Sequence, residues 1–438
     1  MGFKTRLTTF MRATRLDSHH AIERFGIFFG VLMLSGVLVV GAAGFSAFTA
    51  GQDKLAGTAL WTTKFTTSKT RLSGTVDGVY LSDSRTRALI VMHFDPQAKI
   101  SYNAADYQAF LLGSDEKLRT SRVQTPDITG SFHVFGSTGY VAVMLESPAP
   151  FQQQILNLTV RAKAELTFAQ QQQAGATQDQ VVGDASFTRF DQWRVFANPG
   201  AAQATTLPSL DAPAFDPARA YYDVVIKPQE TAARAELDRQ LALMRSDLTQ
   251  INTYTGELAT TKVDGVSLLP PAVPDAISGD TVTGSTAAES TTGQSTLALN
   301  TRTVVPGGFD FNWRDGDVLS GYLGRIMPSG QSSWLGYLQQ QSTAGADTAA
   351  NASNQINSMA WKLSNGRSLA NDYRSSDVTM RPLTTLMNNL SQAYQGYYAD
   401  KRKYESDDLL ALLNLEVNLL NVRSGSSANS DHFLTTFH

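Results

Sequence analysis

The stretch "ILNLTVRAKAEL", residues 155–166, decides the fold of the first half of the chain. Apolar side chains occupy every second position from Leu156 to Leu166, and polar or charged side chains occupy the positions between them. Successive side chains of a strand point to opposite faces of a sheet, so a strict period of two predicts a half-buried β-strand.

Further strand patterns surround this stretch between residues 58 and 168. "RALIVMHF" (87–94) and "YVAVML" (140–145) are apolar on both faces, and "GSTG" (136–139) has the length of a hairpin turn. "ASFTRFDQWRVFANPG" (185–200) and "YYDVVI" (221–226) resemble two more strands beyond a glutamine-rich stretch. These patterns predict an antiparallel β-sandwich, with a small β-barrel as the alternative.

An uncharged apolar run, "FGIFFGVLMLSGVLVVGAAGFSAFTA" (25–50), follows a basic N-terminal segment. A helix of that length extends roughly 39 Å, enough to cross a bilayer with some tilt. The basic flank, 1–24, then predicts a short cytoplasmic tail and places the residues from 51 onward outside the cytoplasm. A cleaved signal peptide is the alternative, although its apolar region is usually shorter.

Helical periodicity begins at Pro228 and returns from Pro382 to about Arg423. The phase of the second block slips near "YESDD" (404–408) before the leucine-rich "LLALLNLEVNLL" (409–420). Heptad-like spacing predicts a coiled-coil or bundle helix. The candidate interaction residues are Leu237, Leu241, Met244, Leu248, Ile251, Leu409, Leu412, Leu413 and Leu420.

Two segments lie between these helical blocks. "AGADTAANASNQINSMAWKLSNG" (344–366) predicts an alanine-rich helix that ends at Gly366. "SGDTVTGSTAAESTTGQSTLA" (278–298) is dominated by small polar residues and predicts a long loop.

The predicted fold class is a single-pass membrane protein with an N-terminal transmembrane helix, an all-β sandwich-like domain, and a mainly α-helical or coiled-coil region with a long polar loop. The predicted domains are the tail 1–24, the span 25–50 as a signal-anchor, the β-rich domain 51–227 with its core at 58–168, and the helical stalk 228–438 with an inserted segment at 263–380.

Composition excludes several kinds of chemistry. The chain has no cysteine, which rules out disulfides, thiolate metal sites and a cysteine nucleophile. Its formal net charge of -3 gives no indication of a nucleic-acid partner. The nucleophile-elbow, zinc-helix and phosphate-loop motifs are all missing from the sequence. We therefore predict no cofactor, no metal and no catalytic residue.

One segment, "GGFDFNWRDGD" (307–317), has the residue types of a functional site. A calcium loop beginning at Asp310 would need an oxygen ligand where Arg314 stands. A catalytic pair of carboxylates would need two of its aspartates in one cleft. The interpretation we favour is a structural anchor in which Phe309, Phe311 and Trp313 alternate inward along a short strand, with "RDGD" forming a turn.

The sequence supports three hypotheses about function. The first is a non-enzymatic, membrane-anchored extracytoplasmic structural or accessory subunit of a cell-envelope assembly, of the secretion, conjugation or surface-appendage type. The alternatives are an anchored adhesin or ligand-binding receptor, and an aspartate-dependent extracytoplasmic hydrolase. The predicted partners are the lipid bilayer, through residues 25–50, and other protein subunits in a homo- or hetero-oligomer. The predicted location is the cell membrane.

Overall fold

A computed structural model describes residues 51, 53–114, 127–163, 167–168, 190–273, 277–281, 308–331, 333–341, 354, 356–373, 377–431 and 433–437. These residues form two compact units. The first contains the described residues up to Val134, Gly139–Pro213 and the residues from Ser427 onward. The second contains Phe135–Thr138 and Ala214–Ser426.

The first unit is a β-sandwich, as the strand patterns predicted. Its strands are β1 (Lys64–Thr66), β2 (Ser73–Leu81), β3 (Arg87–Phe94), β4 (Ala98–Lys99), β5 (Tyr107–Ser114), β6 (Thr129–Val134), β7 (Tyr140–Glu146), β8 (Ile155–Ala162), β9 (Thr167–Phe168), β10 (Gln192–Ala197) and β11 (Thr205–Thr206), with β14 (Ser427–Asn429) and β15 (Leu434–Phe437) near the C-terminus.

Two sheets enclose one apolar core. The larger sheet has the order β1-β2-β3-β7-β6-β14, with β11 also pairing with β2, and the smaller has the order β10-β8-β5-β15. The indole of Trp193 lies between them, 5.6 Å from the ring of Phe65 and 5.3 Å from that of Phe94. Residues 155–162 of the alternating stretch form β8, and its apolar residues Leu156, Leu158, Val160 and Ala162 are buried in this core. Residues 164–166 lie outside the described part of the chain.

Residues near the C-terminus return to the sandwich, which the sequence-based division into domains did not anticipate. Strand β14 pairs antiparallel with β6, and β15 pairs parallel with β5. Phe433, which lies between these two strands, is 1% exposed and packs 5.4 Å from the ring of Phe132. The two strands therefore extend both sheets with chain that follows the helical unit.

The second unit is built on three helices, α1 (Lys227–Thr260), α2 (Arg381–Lys403) and α3 (Leu409–Gly425). Its smaller elements are the helices Pro217–Tyr221, Leu323–Ile326 and Leu369–Asp372, the π-helical turns Tyr222–Ile226 and Tyr404–Asp408, and the two-stranded sheet of β12 (Lys262–Val263) and β13 (Val266–Ser267).

Helices α1 and α2 form an antiparallel pair, here called the helical hairpin. Gln240 Nε2 donates a hydrogen bond to the carbonyl oxygen of Asp400, and Thr255, further along α1, bonds with Tyr394, which lies earlier in α2. Partner numbers fall along α2 as they rise along α1, so the two helices run in opposite directions. The two helical blocks that the sequence predicted therefore pair with each other within one chain.

Three local predictions are wrong. "YYDVVI" (221–226) is helical, because Asp216 caps a helix that starts at Pro217 and continues through the π-helical turn into α1. Of the predicted alanine-rich helix (344–366), the described residues 354, 356 and 357 are helical, but the helix does not reach Gly366. Lys362 and Leu363 form β-bridges instead, and Gly366 lies in the turn between them and Ser368 with a positive φ of 82°. Phe309–Trp313 has no strand pairing, because its main chain bonds instead to a helical element.

The fold-class prediction also needs correction in its membrane-spanning element. Within the described residues, no helix combines the length and apolar character that crossing a membrane requires. The single-pass, transmembrane and signal-anchor features of the prediction are therefore not retained. The tail 1–24 and the run 25–50, to which the prediction gave the span, lie outside the described residues. The glutamine-rich stretch and most of the polar loop 278–298 also lie outside them.

Candidate functional site

The candidate interaction residues of the helices pack inside the second unit. Helix α1 packs against α2, and α3 also contacts α1. Leu237, Leu241, Met244, Ile251, Leu409, Leu412 and Leu413 are buried, and Leu248 and Leu420 are half-buried. These side chains stabilise the unit itself, so a protein partner would have to contact other residues.

The segment 308–317 is fixed at the π-helical turn between α2 and α3. Within this turn, the carbonyl oxygen of Glu405 accepts a hydrogen bond from the backbone N–H of Phe309, 3.0 Å away. Trp313 Nε1 donates to the hydroxyl of Tyr404 at 3.1 Å. The phase slip that the sequence shows at "YESDD" is therefore the turn that holds this segment.

A buried carboxylate completes the anchor. Glu230 accepts hydrogen bonds from the guanidinium of Arg234, the hydroxyl of Tyr222 and the backbone N–H of Val318. Arg234 also lies over the indole ring of Trp313, 5.5 Å from its centroid. Phe309 and Trp313 are buried and Phe311 is half-buried, so two of the three predicted anchor side chains reach the core.

The three aspartates of this segment do not share one cleft. Asp315 accepts a hydrogen bond from the amide of Asn312, and Asp317 accepts one from the backbone N–H of Ser320. Asp310 lines a pocket of about 370 Å³. That pocket is lined by Gly308, Phe309, Asp310, Phe311, Asn312, Tyr322, Arg325, Ile326, Tyr337 and Gln341. It holds one carboxylate, whereas acid–base hydrolysis by two aspartates needs a facing pair.

The geometry does not favour the calcium alternative for the same segment. Arg314, at the position that a ligand would need, forms an ion pair with Asp238 and lies 4.3 Å over the ring of Trp313. Within the described residues, no group of three or more His, Asp or Glu side chains has a metal-binding arrangement. Arg314 instead ties the segment to α1.

The two histidines of the sandwich lie on different strands and have different surroundings. His93, on β3, bonds through Nδ1 to the carboxylate of Asp77 at 2.9 Å. His133, on β6, bonds through Nε2 to the hydroxyl of Ser131 at 2.8 Å. Burial lowers the pKa of His133 to about 4, so its imidazole is neutral at pH 7.

Exposed apolar side chains lie in the segments that follow α1 and precede α2. The large apolar residues that are exposed in the described part of the chain are Tyr102, Leu243, Leu269, Val273, Leu335 and Val378. Three of these, Leu269, Val273 and Val378, belong to the segments that follow α1 or precede α2. We call these three residues the apolar end surface.

A pocket of about 510 Å³ adjoins Val378 at this end of the hairpin. Both helices contribute to it, with Glu257 from the last turn of α1, Thr261 directly after that helix, and Arg381 and Leu386 from the start of α2. Val378 is 66% exposed. A pocket with an exposed aliphatic residue at its edge can bind an apolar side chain of a partner. The acidic and basic residues of the pocket can form hydrogen bonds with polar groups beside that side chain.

Sequence patterns missed the buried charges that organise this unit. Glu416 appeared to be an interruption of a leucine-rich run, yet its carboxylate accepts the backbone N–H groups of Tyr322 and Leu323 at 2.6 and 3.0 Å. Lys401 is fully buried on α2. The seam spacing that joins Leu390, Tyr394 and Tyr397 reaches Lys401 after four more residues, so the signal was present.

The chain matches no protein-family model, no curated protein and no solved structure with which it was compared.

Proposed function

We propose that this chain is a non-enzymatic structural subunit of a larger protein assembly, and that it joins the assembly through the apolar end surface. The observation that carries the proposal is the exposure of Leu269, Val273 and Val378, three apolar residues in the segments that follow α1 or precede α2. Exposed apolar surface on a folded protein often marks an interaction site.

The hairpin is suited to holding such a surface at a fixed distance. Helix α1 has 34 residues. At 1.5 Å per residue it extends about 50 Å. Its seam is packed against α2, and Lys403 forms ion pairs with Glu236 and Asp408 at the opposite end. A stiff support of this kind preserves the geometry of a contact and reduces the entropy that binding costs.

The occupant that fits the apolar end surface is a partner protein that presents aliphatic side chains with charged groups beside them. Aliphatic contact is required because burial of apolar area provides roughly 25 cal/mol per Å². The flanking charges Glu257 and Arg381 give the contact a direction, because each needs an opposite charge on the partner.

The test compares tagged wild-type protein with the variants Val378→Asp and Leu269→Asp, each isolated from the native source under mild conditions. We expect the wild-type protein to elute in a defined particle larger than its own 47.5 kDa, and both variants to elute at the mass of the free chain. Leu243→Asp is the matched control, because Leu243 is an exposed apolar residue within α1.

Two results would contradict this proposal. One is a wild-type protein that elutes as a free chain. The other is a particle that survives Val378→Asp and Leu269→Asp as well as it survives Leu243→Asp. If the particle contains only copies of this chain, the proposed partner protein is wrong and the surface mediates self-association instead. The cell-envelope setting stays a prediction, because it depends on residues 1–50.

A ligand-binding receptor is the second candidate, and the pocket beside Asp310 favours it over a hydrolase. Arg325 lies 5.3 Å from the ring centroid of Tyr322, and both residues line that pocket. A guanidinium and a carboxylate beside aromatic rings can bind a small polar ring compound. Binding that is lost in Arg325→Ala and kept in Val378→Asp would support this candidate.

A further inference from the structure

A lysine and an aspartate meet in the interior of the helical unit with almost no access to solvent. The Nζ of Lys401 lies 2.6 Å from Oδ2 of Asp280, and the two side chains are 1% and 0% exposed. The carboxylate of Glu405, one helical turn further along, lies 3.9 Å from the same Nζ and is 3% exposed. The hydroxyl of Tyr397 donates to Oδ2 of Asp280 at 2.6 Å.

The surroundings of this pair are unlike those of a stable buried ion pair. Such a pair offsets the cost of removing its charges from water only when the remaining polar atoms are also hydrogen-bonded. Oδ1 of Asp280 is buried and has no hydrogen-bond partner within the described part of the chain. An alternative that removes both charges, and with them the cost of burying them, is a covalent one.

We propose that Lys401 and Asp280 form an intramolecular amide bond, which cross-links α2 to the segment 277–281. The bond that forms joins Nζ of Lys401 to Cγ of Asp280, and the bond that breaks joins Cγ to Oδ1. Of the three protons on the lysine ammonium group, two leave with Oδ1 as water and one stays on the amide nitrogen. The step needs no oxidant, reductant or other reactant.

Each neighbouring group has a role in this step. Glu405 accepts a proton from Nζ and delivers it to the departing oxygen, as a general base and acid would. Burial raises the pKa of Tyr397, and the hydrogen bond to Asp280 adds to that effect, so its hydroxyl remains protonated. It can therefore stabilise the negative charge that develops on Oδ2 in the tetrahedral intermediate.

Two conditions favour the condensation of Lys401 with Asp280: the two groups are held in contact, and water is excluded from them. Two reacting groups held in contact behave as if their concentration were very high, which converts a slow bimolecular reaction into a favourable unimolecular one. Exclusion of water also opposes hydrolysis of the product. The matched contrast is Lys403, two residues away, whose Nζ contacts Glu236 and Asp408 but whose side chain is 39% exposed. That lysine remains a solvated ion pair.

The cross-link would have a structural purpose in a chain without cysteine. Asp280 and Lys401 are 121 positions apart. A covalent bond between distant positions restricts the unfolded chain, as a disulfide does. The inference does not depend on the proposed function, because an assembly subunit and a receptor would both contain the same interior.

Mass spectrometry of the denatured wild-type protein tests the proposal. The intact chain should be lighter than its sequence by one water molecule. Trypsin should yield residues 263–302 joined to residues 375–402, with no cleavage after Lys401. A folded, aged wild-type sample with the full sequence mass and cleavage after Lys401 would overturn the proposal. This measurement needs no variant, so it remains decisive if a variant fails to fold.

Variants then assign the roles. Lys401→Arg removes the nucleophile and should restore the full mass for its sequence. Glu405→Gln should leave the two reactants in contact but prevent or greatly slow the mass loss in protein whose circular dichroism is native. Lys403→Arg is the matched control and should keep the mass loss and the joined peptides. Cross-linking at the wild-type rate in Glu405→Gln would exclude Glu405 from the reaction.

Discussion

The indole Nε1 of Trp313 donates a hydrogen bond to the hydroxyl of Tyr404, the first residue of the π-helical turn between α2 and α3. Both residues are buried. Trp313, from an irregular segment, and Tyr404, from the π-helical turn, thus satisfy each other's polar groups. The π-helical turn is the place at which the segment 308–317 is attached.

Trp313→Phe removes this hydrogen bond and keeps an aromatic ring. The loss of the hydrogen bond should lower the free energy of unfolding by about 1 kcal/mol, in addition to the loss from the smaller buried apolar area. Urea unfolding measures the change. In a cycle with Tyr404→Phe, the double variant should lose less than the sum of the two single variants. Additive losses would show that the hydrogen bond contributes nothing to stability.

Opposite effects are expected at two glycines. Gly321 has a φ of 88°, and a Cβ there would lie 3.0 Å from Oε1 of Glu416. Gly321→Ala should therefore cost about 1–2 kcal/mol for its backbone conformation alone. Gly256, in α1, has open space around its Cβ position. Gly256→Ala should add about 0.5–1 kcal/mol of stability because alanine favours the helix.

Thermal unfolding at pH 7 distinguishes the two glycine variants. Gly321→Ala should melt below the wild-type protein and Gly256→Ala above it. Equal shifts in one direction would mean that Gly321 does not have a positive φ in the folded protein.

Acidity should affect the helical hairpin through Asp247. Burial raises the pKa of Asp247 to about 6, and the nearby carboxylate of Asp400 adds to the shift. The folded state then holds a proton that the unfolded state releases, so the contribution of this group to stability falls as pH rises from about 4 to about 6. Asp247→Asn removes that dependence, and its melting temperature relative to wild type should increase over this range.

An Asp247→Asn variant whose melting temperature keeps a constant difference from the wild-type value over this pH range would rule out the proposed titration.

The heptad seam should contribute to stability within a single chain. Leu237 has no exposed area, so Leu237→Ala leaves a cavity and should cost about 2–5 kcal/mol. Leu248 is half-buried, so Leu248→Ala should destabilise the protein less than Leu237→Ala does. Leu243 is exposed, so Leu243→Ala should change the free energy of unfolding by under about 0.5 kcal/mol. The melting temperature should not depend on protein concentration. A rise with concentration would show that the seam packs between chains.

Much of the architecture could be read from period and length. Strand β3 coincides with the predicted "RALIVMHF", and α1 begins within one residue of Pro228, because these patterns are local and strong. The segment 221–226 was misassigned because a short apolar run rich in β-branched residues fits a strand or a helix equally well. The helix cap at Asp216 was the signal that separates the two.

The candidate site was less predictable for a different reason. Alternation suggested that Phe309, Phe311 and Trp313 share one buried face, but the anchor depends on a hydrogen bond from Phe309 to the carbonyl oxygen of Glu405 in the π-helical turn. The partnership of Asp280 with Lys401 joins positions 121 residues apart. The periodicity of a sequence indicates the structure of one element at a time, so it cannot predict a contact between residues that are distant in the sequence.

Because β14 pairs with β6 and β15 pairs with β5, two strands of the sandwich must wait for partners that are synthesised much later. Strands β5 and β6 leave the ribosome long before the residues that will pair with them on one side. Until residues 427–437 are translated, those two edges carry unpaired backbone groups that can bind other strands. A nascent chain that stops before residue 427 would expose both edges, so translation of residues 427–437 protects the sandwich against aggregation through these edges.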